Sequence, residues 1–388
     1  MPSLLLGVSG SIAAFKVPEI LRFLIKQKQF FSGIILTQNA RQFVSPLVLE
    51  VLGKTKVYNH LHFFESSIPH LSLAKNSDAL VVLPCTATAI SKFANAIADD
   101  LLSATFLSFT GPKLLIPAMH SEMIENPIVQ NNIARLKSYG VQILDSLYGE
   151  LSSGDHGYGR MASAAWISNA IETLFLPKID LSGKKILISM GGTREDIDSV
   201  RFISNRSTGK LGEALAFMAK FYGANVSIIS TNPLEETHFE TEIYVESAAQ
   251  MQKAVLEKFP SQDALIMVAA VSDFSTDKQA TKLKRRDQET FLTLKPSEDI
   301  LKVASKQKVA HQKLIGFCLE ETEQLDHEAK RKLNEKGLDF IVANTSDMIG
   351  KLKRTLTLYS AKNPEQPLQS TEKSLIESAH FLLANTLA

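Results

Sequence analysis

Short apolar runs alternate with stretches of helical period along the whole chain. In the first half Ser3–Val8, Gly33–Leu36, Ala79–Leu83 and Lys113–Ile116 read as buried strands. Between them Ile12 to Ile25 has helical periodicity, and the turn Pro84–Cys85–Thr86–Ala87–Thr88 opens a helix running to Ala94. Asp99–Asp100–Leu101–Leu102 reads as an N-capped helix, and shorter helical patterns surround Glu122 and Asn131. Strand alternating with helix predicts a parallel sheet covered on both faces. In such sheets ligands sit beyond the carboxyl ends of the strands. Gly10, Thr37, Thr86 and Met119 all fall at such ends and are expected to converge.

The second half repeats the pattern. Strands are predicted at Lys185–Met190, Asn225–Ser230, Ala264–Ala269, Leu314–Phe317 and Phe340–Ala343. Helices are predicted at Gly209–Tyr222, Ala248–Lys258, Asp299–Lys306, Asp326–Lys336 and Ser370–Ala384. Residues 275–290, rich in Lys, Arg, Asp, Gln and Thr, read as a mobile loop. The stretch Phe175–Gly183, punctuated by Pro177 and Gly183, is the expected joint between two domains, 1–177 and 178–388. The fold class is therefore α/β, with two Rossmann-like domains.

Composition narrows this further. The chain has 388 residues, 45% hydrophobic and 21% charged, which is globular material for two or three domains. Lys plus Arg number 42 against 41 for Asp plus Glu, so no basic field points to nucleic acid or an anionic membrane. Cys85 and Cys318 make neither a disulfide framework nor a zinc spacing, which fits a reducing cytoplasm. No basic leader region precedes Leu4–Val8 and no apolar run spans a bilayer, so the expected location is cytoplasmic.

The stretch from Ser189 to Lys210 holds the densest candidate chemistry. It carries Arg194, Arg201, Arg206 and Lys210, several hydroxyls, and Gly209 at a helix start. Backbone amides at a helix start suit an anion, and glycine lets it come close. A phosphate-bearing substrate is expected here. The spacing is not a Walker A loop, because Ser204 and Leu211 occupy positions that would need Gly and Ser or Thr. In the first half Ser9, Ser11 and Thr37 put hydroxyls at strand ends, where an NAD site would want a carboxylate after the second strand. They suit a terminal phosphate such as that of FMN; Ser9 or Ser11 as a simple N-cap fits the spacing equally.

The run Gly191-Gly-Thr-Arg-Glu-x-x-Asp-x-Val-Arg-x-Ile-Ser-Asn-x-Ser-x-Gly-Lys210 resembles the signature of phosphopantothenate–cysteine ligases of coenzyme A biosynthesis. The resemblance covers roughly residues 180–388. It implies that CTP activates 4′-phosphopantothenate as an acyl-cytidylate, which the cysteine amine then attacks, with Mg2+ on the phosphates. Asn205 matches the asparagine that holds the acyl intermediate. Asp273, in Ala269–Phe274, would bind the nucleotide or metal side. Lys282, in Lys282–Leu283–Lys284–Arg285, would close over the phosphates. Arg201 and Asp299 would contact substrate, and Phe317 would pack on the nucleotide. Lys332 and Lys336, one helical turn apart, would reach toward the triphosphate. The segment Lys295–Ile300 departs from the family turn, with Glu298 beside Asp299, which bears on nucleotide preference.

Residues 1–177 resemble FMN-dependent phosphopantothenoylcysteine decarboxylases. The likeness rests on Gly10–Lys16, His70–Leu71, Ala98–Leu101, Pro117–Met119 and Gly157–Met161. It implies a flavodoxin-like FMN domain with Gly10, Ser11, Thr37, Thr86, Thr88 and Met119 at the cofactor and His70 at the substrate. Two positions depart from the pattern. His120 stands where the family has the asparagine that binds the substrate carboxylate. Ser153 stands where it has the proton-donating cysteine. A hydroxyl is a much weaker acid than a thiol, so the reductive half of the cycle is expected to slow.

Flavoprotein followed by ligase is the order of the bifunctional bacterial enzyme. The expected partners are 4′-phosphopantothenate, cysteine and CTP, with no nucleic acid and no membrane. The resemblance also implies a homo-oligomer, with trimer-based flavin domains and dimeric ligase domains. The alternatives are a ligase whose flavin domain serves only assembly, an oxidative decarboxylase stopping at the ene-thiol, and an NAD dehydrogenase. Strand-end hydroxyls in both halves count against the last.

Overall fold

The computed structural model describes residues 2–59, 68–234, 239, 241–279, 281–284, 291–348 and 350–388. The chain divides into two compact units, Met1–Leu176 and Pro177–Ala388.

The first unit is built on six parallel strands. Their spatial order is Val57–Tyr58, Phe30–Leu36, Ser3–Val8, Ala79–Cys85, Lys113–Pro117, Gln142–Ile143. Winding runs outward one way from Ser3–Val8 and then the other way from Ala79–Cys85, so the switch in direction lies between these two strands. Both are buried from end to end apart from Ser3, which explains their uninterrupted apolar sequence. The helix expected over 12–25 divides into a 3₁₀ segment, Ile12–Lys16, and an α-helix, Val17–Lys26. Pro18 explains the division, since it has no N–H to continue the ladder and favours a first turn. Asp100 caps Leu101–Ser108 through a capping box with Ser103, as the sequence predicts.

The second unit is built on a sheet of eight strands. Six are parallel, in the order Thr241–Tyr244, Asn225–Ser230, Lys185–Met190, Ala264–Met267, Lys313–Glu320, Phe340–Thr345. Two antiparallel strands, Thr357–Ser360 and Asn363–Gln369, extend the last edge. The switch lies between Lys185–Met190 and Ala264–Met267, so both units share one doubly wound plan.

Three features of the second unit stand out among those not read from the sequence. Arg194–Asp196 and Phe202–Ser204 form a hairpin inside the long 189–210 stretch. Phe274–Thr276 pairs with Leu294–Pro296 across the segment expected to be loop, of which residues 280 and 285–290 lie outside the described residues. The third is the antiparallel edge itself. Among the described residues no helix is long and apolar enough to cross a membrane.

Candidate functional site

In the first unit a cavity of about 320 Å³ opens at the switch point, lined by Gly10, Ser11, Thr86, Met119, His120 and Ser153 among others. Four of the six expected cofactor residues therefore converge: Gly10, Ser11, Thr86 and Met119. Ser9 staples the two central strand ends, its hydroxyl donating to Pro84 O at 2.8 Å and accepting from the Thr86 amide at 2.9 Å. That role is structural and leaves Ser11 toward the cavity. Ser11 caps the 3₁₀ segment, accepting from Ala13 N at 3.3 Å, and also lines the cavity. Thr86 likewise caps Ala87–Ala94.

Thr37, Thr88 and His70 do not line this cavity. Thr88 is exposed. Thr37 Oγ1 and His70 Nδ1 are buried with no hydrogen-bond partner among the described residues. A buried hydroxyl without a partner carries a desolvation cost that a ligand acceptor would relieve. Gly10 packs against the 37–40 turn so closely that a Cβ there would lie 2.4 Å from Asn39 Cβ. The glycine cradle and the apolar faces of Ile12, Phe15, Met119 and Met123 fit a flat ring bearing a phosphate, while the orphaned Thr37 hydroxyl lies outside the cavity lining.

The far wall is the hairpin Leu147–Glu150 and His156–Arg160. Gly159 makes it possible. Its φ is +136°, and a Cβ would come within 1.9 Å of Met119 O. This close approach, with Met119 N donating to Gly159 O at 3.2 Å, locks the Pro117–Met119 turn against the hairpin. His120 Nε2 lies 3.1 Å from Asp155 Oδ2. Hydrogen bonds from His120 and then Ser153 hold the Asp155 carboxyl below its usual range. Asp155, Phe15, Lys16 and Arg160 were not singled out as site residues from the sequence. Asp155 had one available signal, its place two residues after Ser153.

In the second unit the Gly-Gly-Thr segment is clamped across the switch point. Thr193 N donates to Ala270 O at 3.2 Å, Ala270 N to Gly191 O at 2.8 Å, and Ser272 N to Thr193 Oγ1 at 2.8 Å. Asn205 joins the same place, its amide donating to Ala270 O at 3.3 Å and Val271 O at 3.1 Å. Beside it a cavity of about 210 Å³ is lined by Arg206–Gly212, Val268–Ala270, Phe317–Leu319, Asn344 and Arg354 among others. Gly209, at φ +73°, starts the helix Lys210–Phe221 there without a side-chain cap, so the helix's first amides lie at the cavity.

Of the expected substrate residues, Phe317 lines this cavity. Arg201 is engaged elsewhere, with Asp198 and with Leu283 O. Leu283 in turn donates its amide to Asp198 Oδ2, so this pair anchors the short stretch that carries the exposed Lys282. Asp273 is exposed, and its backbone carbonyl accepts from Ser297 N. Asp299 caps the helix Ile300–Gln307 and pairs with Lys336 at 2.9 Å. Lys332 pairs with Glu320 at 2.6 Å and approaches Cys318 Sγ at 3.6 Å. Arg285 lies outside the described residues.

Arg354 is a residue the sequence did not suggest. It is 9% exposed, lines the cavity, and its Nε has no partner among the described residues. Glu195 is also buried; burial pushes its carboxyl up, against the Ala248 amide it accepts at the start of Ala248–Lys258.

Two family descriptions divide the chain between them. "Flavoprotein" matches residues 1–176, and "DNA/pantothenate metabolism flavoprotein C-terminal domain" matches residues 181–387. The Coenzyme A biosynthesis bifunctional protein CoaBC of Borreliella burgdorferi is 34% identical, covering 94% of this chain and 94% of that protein. The chain belongs to the CoaBC family. Its Bacillus subtilis relative of the same name is 39% identical, over 88% of this chain and 85% of that one. A solved C-terminal domain of CoaBC is 33% identical and covers 53% of this chain and 94% of that domain, with a TM-score of 0.44. Among the described residues no group of three or more His, Cys, Asp or Glu is placed to hold a metal ion.

Proposed function

We infer that this CoaBC-family protein makes 4′-phosphopantetheine in two steps, ligation of cysteine to 4′-phosphopantothenate and decarboxylation of the product. Ligase and decarboxylase activity in coenzyme A biosynthesis follow from relatives that match along nearly the whole chain in both halves. That end-to-end match favours two working sites over a ligase carrying an inert flavin domain.

For the ligase, assigned to residues 178–388, CTP is the activating nucleotide. The observation that carries this is the cavity at the second switch point, which sets the helix start at Gly209–Lys210 opposite Phe317. Backbone amides, Lys210, Arg206 and Arg354 supply positive charge for a triphosphate, and Phe317 offers a face for the base. Asn205 points its amide at the Ala270–Val271 carbonyls beside the cavity and is the group that holds the acyl-cytidylate. Arg201, through Asp198, sets the stretch from which Lys282 reaches the phosphates. Lys332 and Lys336 exchange their present carboxylate partners for phosphate oxygens. Mg2+ is carried mainly by the nucleotide, with Asp273 as a single protein carboxylate. This suits an ion that keeps most of its waters.

For the decarboxylase, assigned to residues 1–177, FMN fits the first cavity. The chemistry it supplies when bound is reversible uptake of an electron pair from the substrate thiol. Gly10, Ser11 and Thr86, which line that cavity, would hold its phosphate side, and Met119 would pack on its ring. Thr37 completes the phosphate contacts through its orphaned hydroxyl, with Thr88 at the rim. His120 binds the substrate carboxylate, as an imidazole N–H can. His70, whose buried Nδ1 has no partner among the described residues, acts on the substrate as the resemblance implies, with trimer-based flavin domains and dimeric ligase domains in the cytoplasm.

The deciding experiment supplies purified protein with 4′-phosphopantothenate, cysteine, CTP and Mg2+ and identifies products by mass. Pyrophosphate, phosphopantothenoylcysteine and CO2 are expected. Absence of pyrophosphate overturns the ligase reading, and absence of CO2 overturns the decarboxylase reading.

A further inference from the structure

We propose that His120, held by Asp155, donates the proton that completes decarboxylation in this chain. The proposal rests on the decarboxylase reading above. Replacing a carboxylate by hydrogen breaks one C–C bond, forms one C–H bond, releases CO2 and consumes one proton. The overall exchange is redox-neutral, so it needs no external oxidant or reductant. One proton per turnover must therefore come from a group that faces the substrate carbon. A thiol at position 153 would serve, and the Ser153 hydroxyl is too weak an acid to do so at a useful rate.

The titratable side chains lining the cavity are Lys16, His120, Glu150 and Arg160. A guanidinium does not give up its proton, an ordinary ammonium gives up little near neutral pH, and an ordinary carboxyl holds little. Imidazole both carries and releases a proton there. Its position supports the same choice. Asp155 accepts from His120 Nε2 at 3.1 Å, and Ser153 and His156 lie close enough to act on the same carboxyl. The ring is thus one shared carboxylate away from the place where the family keeps its thiol. Asp155 fixes the ring's orientation by accepting from Nε2. His120 Nδ1 has no partner among the described residues, which leaves it for substrate. The side chain is 34% exposed, so water restores the proton after each turnover. His120 is the catalytic residue of this step and Asp155 its positioning residue.

The test uses full-length flavin-loaded protein with phosphopantothenoylcysteine, and quantifies CO2, the saturated thiol and the ene-thiol by mass. His120→Asn keeps an amide that can bind the carboxylate. It should still release CO2 while the ratio of saturated thiol to ene-thiol falls about a hundredfold. Asp155→Asn should lower the same ratio less. The double variant His120→Asn/Ser153→Cys should restore the saturated product, because a thiol replaces the lost donor. Independently of activity, the hydrogen-bonded Nε2–H of His120 should give a protected NMR resonance in substrate-free wild type that Asp155→Asn abolishes. Wild-type CO2 release with an unchanged product ratio in His120→Asn overturns the proposal alone. A resonance that persists in Asp155→Asn overturns the positioning role. No CO2 from wild type overturns the decarboxylase reading and the proposal with it.

Discussion

Asp198 Oδ2 lies 2.6 Å from Arg201 Nη2, and the pair holds Leu283 by both its backbone groups, the amide on Asp198 and the carbonyl on Arg201. A buried carboxylate three residues from its arginine thus reaches more than eighty residues along the chain to set the stretch bearing Lys282. Burial by itself would push the Asp198 carboxyl up. The Arg201 guanidinium and the amides of Val200, Leu283 and Arg201 outweigh it and hold the group well below the usual carboxylate range.

Asp198→Asn keeps the shape and removes the charge. We expect the ligase turnover to fall about a hundredfold, the size of effect that a small displacement of a reacting group produces. FMN content of the other half should stay unchanged. The pH dependence has a definite sign. A carboxyl lowered in the folded state contributes stability that is complete above its unfolded value, about pH 4, and is lost as pH falls below that. Thermal unfolding of the ligase half between about pH 5 and 2 should show a shallower acid limb in Asp198→Asn than in wild type. Equal slopes would count against this account.

Asn205→Ala removes the amide that spans Ala270 O and Val271 O. Pyrophosphate release with phosphopantothenate and CTP should persist or fall modestly. Transfer to cysteine should fall by about a hundredfold or more, as for loss of a donor at a developing charge. Accumulation of acyl-cytidylate on a mass trace checks this, and wild-type transfer rates in the variant would exclude the role.

Arg354→Gln tests the buried cation of the ligase cavity. A hydrogen bond from a charged donor contributes about 1.5–3 kcal/mol. The KM for CTP should therefore rise by about tenfold to a hundredfold while the KM for cysteine holds. A CTP KM unchanged in a folded variant removes Arg354 from the nucleotide site.

Ser11→Asp sets a second anion beside the expected flavin phosphate. Aspartate caps a helix start as well as serine, so the Ile12–Lys16 turn should keep its Ala13 contact and the fold should hold. The purified protein should lose its yellow colour and fail to take up added FMN. A variant that retains flavin absorbance places the phosphate elsewhere.

Gly159→Ala forces a side chain to within 1.9 Å of Met119 O at φ +136°. A strained residue of this kind costs about 1–3 kcal/mol, and the backbone clash adds to it. Differential scanning calorimetry should show the flavin half melting earlier, with decarboxylation lost and ligation intact. Unaltered melting would mean that the hairpin can move away from the Pro117–Met119 turn.

Much of this protein was legible as a string of residues. Buried parallel strands such as Ser3–Val8 and Lys185–Met190 are uninterrupted apolar runs, because both sheet faces are covered and no position need be polar. One helix announced itself by its cap, Asp100, whose capping box with Ser103 the structure shows. The hairpin Arg194–Asp196/Phe202–Ser204 left no comparable trace, since its outer strand is exposed along its length. The edge strand Asn363–Gln369 was hidden by Pro364 and Pro367, which a sheet tolerates only where no neighbour needs the missing amides.

Sequence by itself determined the alternation of strand and helix, the two halves, and the strand-end residues Gly10, Ser11, Thr86 and Met119 that line one cavity. Order along a strand is a local property, so residues at the carboxyl ends gather along one edge of a parallel sheet, although Thr37, also at such an end, does not line the cavity. Only the tertiary structure decided that Asp155 lies between His120 and Ser153, that Asp198 and Arg201 hold Leu283, and that Arg354 enters the ligase cavity. These contacts join separate elements through side chains whose partners depend on how turns pack, and hydrophobic periodicity carries no record of that packing.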